Sequence, residues 1–261
     1  METTLSNLSD NFDAVFGGDR IRVHSETVAT PFEQTRWSLI QRAASDGEAT
    51  REEAWREFHE LYRAPLLWFI RSHGWPEDEA ADHLQSFLAK LAEHNWLREA
   101  EAEQVKLRTF LLLRLKRHLN DIRKRQNALK RGGKAEIVSA SDDEELLGPS
   151  GDSPSEQVQL EFDRRWAQAI LDRAMARLRS EAERRGNLTV FDVLSSQLTG
   201  ESPGLLQDAA TRLGKTEGAI RMVLNRQRER LRVVLREEVA ETISPGSDIS
   251  EEVRYLAEVL V

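Results

Sequence analysis

The chain has 261 residues, 31% of them charged and 7% aromatic, with a formal net charge of −8. Having no cysteine, it forms no disulfide, offers no thiol nucleophile and builds no cysteine zinc site. No run of about 18 apolar residues suggests a membrane span, and METTLSNLSDNFDAVF lacks the basic start and apolar core of a secretory signal. A cytoplasmic location, with no membrane partner, is the expectation.

Residues 1–33 are polar and acidic and read as a flexible tail, with a short helical piece near 12–16. Helical periodicity begins at Trp37. Trp55, Phe58, Leu61 and Tyr62 share one face, followed by Pro65 and a second apolar run over 66–70. His73, Gly74, Trp75 and Pro76 predict a helix stop and loop. Glu77 and Asp78 then open a helix with Leu84, Phe87, Leu88 and Leu91 inside. Residues 107–125 predict a third helix, its apolar face carrying Phe110, Leu111, Leu115, Leu119 and Ile122. Residues 135–157, rich in Ser, Asp, Glu and Gly and broken by Pro149 and Pro154, bury too little to offset their ordering entropy and read as a linker. Phe162, Trp166, Ile170 and Leu178 mark a further helix, 188–198 another, and 251–259 a small terminal one. No segment has a useful strand period. The expected fold is all-α: helical domains over 34–134 and 158–243, a flexible acidic linker over 135–157, and an extension over 244–261.

Charge is strongly segregated. Residues 106–134 hold eleven Lys or Arg against one acid, Asp121; residues 135–163 hold nine acids and no Lys or Arg. Residues 212–236 hold eight Lys or Arg against Glu217 and Glu229. Two basic helical blocks around an acidic spacer fit a bipartite polyanion binder.

The C-terminal block, LLQDAATRLGKTEGAIRMVLNRQRERLRVVLR over 205–236, predicts a short helix, a tight turn and a long basic helix. Ala210 lets the helices approach, Gly214 serves the turn, and Ile220 and Val223 lock the second helix onto the first. That is the spacing of a helix-turn-helix. Arg221, Asn225, Arg228 and Arg232 recur at helical spacing, and Arg and Asn are the types that bind base edges bidentately. A solvated basic face on an ordinary helical hairpin is the bland alternative. On the helix at 107–125, Arg108, Lys116, Arg117, Asn120, Arg123 and Lys124 would track a nucleic-acid backbone. Phe110 lies among them, as a ring for unstacked bases or simply as core.

In this order the motifs resemble those of bacterial RNA polymerase sigma factors of the extracytoplasmic-function type, over roughly residues 36–243. TRWSLI (35–40) is similar to the opening segment of one subgroup, and DHLQSFLAKL (82–91) to the helix that docks on the polymerase clamp. LRTFLL (107–112) through Asn120 and Asp121 resembles the segment that opens and reads the −10 element. Residues 214–230 resemble the helix-turn-helix that reads the −35 element. Departures are Ser86 where an acid is frequent, Arg117 where asparagine is common, and Leu206 in place of an aromatic.

The resemblance implies a protein that binds core RNA polymerase through the clamp helices of its largest subunit, recognises and melts promoter DNA, and has no catalytic residues, cofactor or metal of its own. It implies −35 contacts from Lys215, Thr216, Arg221, Asn225, Arg226, Arg228 and Arg232. It implies −10 contacts from Arg108, Phe110, Lys116, Arg117, Asn120, Arg123 and Lys124, and docking through Asp78, Asp82 and Gln85. An anti-sigma factor is a further partner it allows. The main rival reading is a stand-alone helix-turn-helix regulator whose N-terminal half senses a ligand or dimerises. An enzyme would need Glu77, Asp78, Glu79 and Asp82 to hold a divalent metal, whereas acids at a helix start ordinarily offset its dipole. The six histidines (24, 59, 73, 83, 94 and 118) have no paired ligand spacing, and no glycine-rich phosphate loop is present.

Overall fold

The computed structural model describes residues 42–43, 48–94, 96, 106–130, 155–198, 206–243 and 248–260. The tail (1–33), TRWSLI (35–40) and nearly all of the 135–157 spacer lie outside the described residues. Those described are overwhelmingly helical and contain no strand, so the fold class is all-α. The helices are α1 (Glu48–Ser72), α2 (Glu77–Glu93), α3 (Leu107–Lys130), α4 (Glu156–Arg184), α5 (Leu188–Leu198), α6 (Leu206–Leu213), α7 (Glu217–Ala240) and α8 (Ile249–Leu260). They fall into two compact units that divide at Trp166 and Ala167, inside α4.

In the first unit α1 packs on α2 and α2 on α3. α1 runs unbroken through Pro65, which is itself buried. Phe58, Tyr62, Leu66, Phe69 and Ile70 from α1, Phe87 and Leu91 from α2, and Phe110, Leu111, Leu112 and Leu115 from α3 are all nearly or fully buried. The start of α4 belongs here too, with Phe162 and Trp166 buried. Asp163, also buried, lies 3.0 Å through Oδ1 from Arg108 Nε, and the Arg108 guanidinium sits 4.8 Å over the Trp166 ring. The helix read as opening the second domain thus gives residues 156–166 to the first unit.

In the second unit α7 is the central helix, in contact with α5, α6 and α8. Its buried line is Ile220, Leu224, Leu231, Val234, Leu235 and Val239. Charged groups fix it to the remainder of α4. Arg230 makes a two-pronged hydrogen bond to Glu181 (2.9 and 2.6 Å), and Arg173 and Arg177 both pair with the buried Glu238. The Arg230 hydrogen bond holds the Glu181 carboxyl below the usual carboxylate range against the opposing effect of burial, with help from Arg185 and Arg177. α8 covers the far end of α7 with Leu256 and Val259, and Arg236 donates to the Ser250 hydroxyl at 2.9 Å. Among the described residues no helix is long and apolar enough to cross a membrane.

Candidate nucleic-acid interface

The helix-turn-helix is built from local rules. Ala209 and Ala210 are buried, letting α6 lie close to its neighbours. Gly214 ends α6 with φ +62°, a left-handed conformation that costs glycine nothing. Its N–H donates to the Thr211 carbonyl (3.3 Å) and that of Lys215 to the Ala210 carbonyl (2.9 Å), the paired bonds of a Schellman close. Two residues later Thr216 caps α7, its hydroxyl accepting from the Ala219 N–H at 3.3 Å. That hydroxyl keeps its own proton to donate outward. The turn is therefore three residues, Gly214 to Thr216, with Gly214 in the place the spacing predicts.

The exposed face of α7 differs from the predicted stripe. At about 100° per residue, the line directly opposite buried Ile220, Leu224 and Leu231 runs through Gly218, Met222, Asn225, Arg226 and Glu229, all exposed. Arg221 is exposed on its flank. Arg228 is turned inward: half-buried, it donates from Nη2 to the Gln197 carbonyl at the end of α5 (3.2 Å). Burial, reinforced by the neighbouring Arg232, lowers its pKa. Arg232 is half-buried as well and pairs with Glu229. The outward polar set is thus Lys215, Arg221, Asn225 and Arg226, with Arg228 drawn to the Gln197 carbonyl and Arg232 to Glu229. Lys215 and Arg226 also line a cleft of about 390 Å³ whose one carboxylate, Glu181, is satisfied by Arg230. Positive charge therefore predominates around the turn.

This geometry separates two kinds of arginine. If α7 reads DNA, Arg221→Ala and Arg226→Ala are expected to cost about 1–3 kcal/mol each of sequence discrimination with little change in melting temperature. Arg228→Ala should instead lower stability by about 1 kcal/mol through the lost Gln197 bond. Anisotropy titrations on duplex DNA, run beside thermal unfolding, check both. Equal binding losses from all three with no stability change would return Arg228 to the DNA face.

α3 needs the larger correction. Phe110 is completely buried, so it is core and offers no surface to an unstacked base. Arg108 is 5% exposed and held by Asp163, out of reach of a phosphate. Arg123 donates to the His73 carbonyl and its guanidinium lies 5.4 Å over the Trp75 ring, fastening α3 to the α1–α2 loop. Arg114, part of the same basic run, is buried 4.7 Å over Trp96. What remains outward is Lys124, exposed 4.0 Å from Asp121, with Lys116, Arg117 and Asn120 half-buried beside it. Arg125, one position on, is exposed as well. The run read as an interface is about half scaffold.

The predicted docking residues lie together. Asp78, Asp82 and Gln85 are all exposed at positions i, i+4 and i+7 of α2, hence on one line. Gln85 lines a groove of about 330 Å³ between α1 and α2, with His59, Arg63, Leu67 and Leu88 among its other walls. Among the described residues no three His, Asp or Glu gather as a metal-binding group. No family model, curated protein or solved structure matches the chain.

Proposed function

We propose that the chain is a promoter-recognition subunit of bacterial RNA polymerase, similar to sigma factors of the extracytoplasmic-function type. The observation that carries this reading is the α6–turn–α7 unit, whose outward line presents Arg221, Asn225 and Arg226 beside Lys215 with no acid between Gly218 and Arg228. A helix offered in this way fits a major groove, with its N-terminal half on base edges. The exposed end of α3 would supply phosphate contacts, and the line Asp78–Asp82–Gln85 beside the α1–α2 groove would receive the polymerase. The protein would carry no chemistry itself; polymerase would hold both DNA-facing surfaces in place.

One observation favours the rival reading. With Phe110, Arg108 and Arg123 committed to the fold, α3 has fewer groups to capture flipped bases, as suits a stand-alone regulator bound through α7. Titration of labelled full-length protein with purified core polymerase, followed by anisotropy at near-physiological salt, separates the two. Saturable binding without DNA is expected, and Asp82→Ala and Gln85→Ala should each weaken it while leaving duplex binding unchanged. Duplex binding with no core binding above an unrelated basic control would establish the stand-alone regulator.

A further inference from the structure

Resting on the reading of α7 as the DNA-facing helix, we infer that Met222 recognises the C5-methyl group of a thymine and so fixes the base preferred at one position of the bound site. Met222 is 58% exposed, more than any other large apolar side chain that stands out from the surface of the described residues. It lies on the line opposite Ile220, Leu224 and Leu231, so it contributes nothing to the core. Its neighbours one turn either way are Gly218, Asn225 and Arg226, with Arg221 adjacent. An apolar side chain at the centre of this face adds nothing to the buried core and is available to a surface that meets α7.

Gly218, one turn before Met222 on the same line, carries no side chain and is exposed. A Cβ there would meet no atom within 4 Å, and the residue does not occupy the positive-φ region. Neither internal crowding nor backbone conformation asks for glycine at this second position of α7. Its missing side chain leaves room for an external surface to come close to the helix there. Together, Gly218 allows the approach and Met222 fills the space one turn further in.

In the major groove the bases present hydrogen-bonding groups that Arg and Asn can satisfy, and a single apolar feature, the thymine methyl. Methionine suits that feature because its unbranched, polarizable thioether adapts to an irregular apolar contact. Position also agrees: Met222 is in the second turn of α7, in the half of a recognition helix that meets base edges.

The test uses the full chain and duplexes enriched by in vitro selection, with each thymidine replaced in turn by deoxyuridine, which removes only the methyl. For the native protein one replacement is expected to weaken binding about fourfold, the equivalent of one buried methyl group. In Met222→Ala that position should become insensitive, with the melting temperature unchanged. Gly218→Ala should weaken binding to every duplex alike and leave the sensitive thymidine sensitive. An identical deoxyuridine profile in native protein and Met222→Ala overturns the inference while α7 remains the reader. Failure to enrich any sequence, or undiminished binding by Arg226→Ala, overturns the DNA-reading role of α7 and the inference with it.

Discussion

Replacing Asp163 by alanine is expected to destabilise the first unit by about 3–5 kcal/mol, the largest effect of any single substitution considered. Asp163 and Arg108 have side chains only 3% and 5% exposed, with Oδ1 of the first 3.0 Å from Nε of the second. The carboxylate also accepts from Gln159 Nε2 at 3.1 Å, and the guanidinium lies over Trp166. Neither ion is near water. Without Asp163 the Arg108 charge stays in the interior with its main compensation gone, and solvating it requires the start of α4 to lift away. The double variant Arg108→Met, Asp163→Leu should recover most of the loss, because it removes both desolvation costs and adds apolar volume. Urea unfolding of the three proteins decides the matter. An alanine variant within 1 kcal/mol of the native protein would mean that the pair is solvent-accessible in solution.

Acid should weaken the same unit well before its carboxylates titrate. His118 is 5% exposed within α3, its ring 5.8 Å from Phe87. Burial, followed by the charges of Lys90, His83 and Arg125, lowers its pKa from 6.5 to about 4, with a partial offset from the His83 backbone. Folded His118 is therefore neutral at pH 6, where the unfolded chain already binds the proton. The sign follows: stability is complete above about pH 6.5, falls as the pH drops, and levels off near pH 4. The full loss across that window is about 3 kcal/mol. Glu181 acts in the other unit and at lower pH, since its depressed pKa gives stability that disappears only below the ordinary glutamate range. Denaturant unfolding at pH 7, 5.5 and 4.5, repeated on His118→Gln, reads the difference. Parallel pH profiles for the two proteins would remove His118 from the account.

Much of this was legible in the linear chain, and the reasons are local. Gly214 and Thr216 close one helix and cap the next through bonds to residues within five positions of them, so the turn could be read without knowing what lies around it. The helical period of Phe58, Leu61 and Tyr62, or of Leu84, Phe87 and Leu91, likewise needs no partner to be recognised. The line Asp78, Asp82 and Gln85 follows from spacing alone. Pro65 is the counterexample among local signals: tertiary burial of the surrounding apolar side chains carries the helix through it.

The fate of each cation was not legible. Arg108 and Lys124 belong to one basic run, yet the first is enclosed by Asp163 and Trp166, more than 50 residues away, while the second stands in solvent. Arg228 has the same spacing from Asn225 as a groove-facing arginine would, but the end of α5 supplies a carbonyl that draws it inward. Periodicity gives the angular position of a side chain about its own helix. Whether that position is covered depends on which other helix arrives there, and a cation next to a carbonyl, a carboxylate or an indole face becomes part of the scaffold. The sequence by itself determined the all-α class, the helix-turn-helix and the two basic blocks, because these follow from short-range sterics, hydrogen bonding and composition. Only the tertiary structure decided which charges remain outward, turned about half of the α3 run into framework, and put Met222 at the centre of the exposed face of α7, because burial is a property of neighbours distant in the chain.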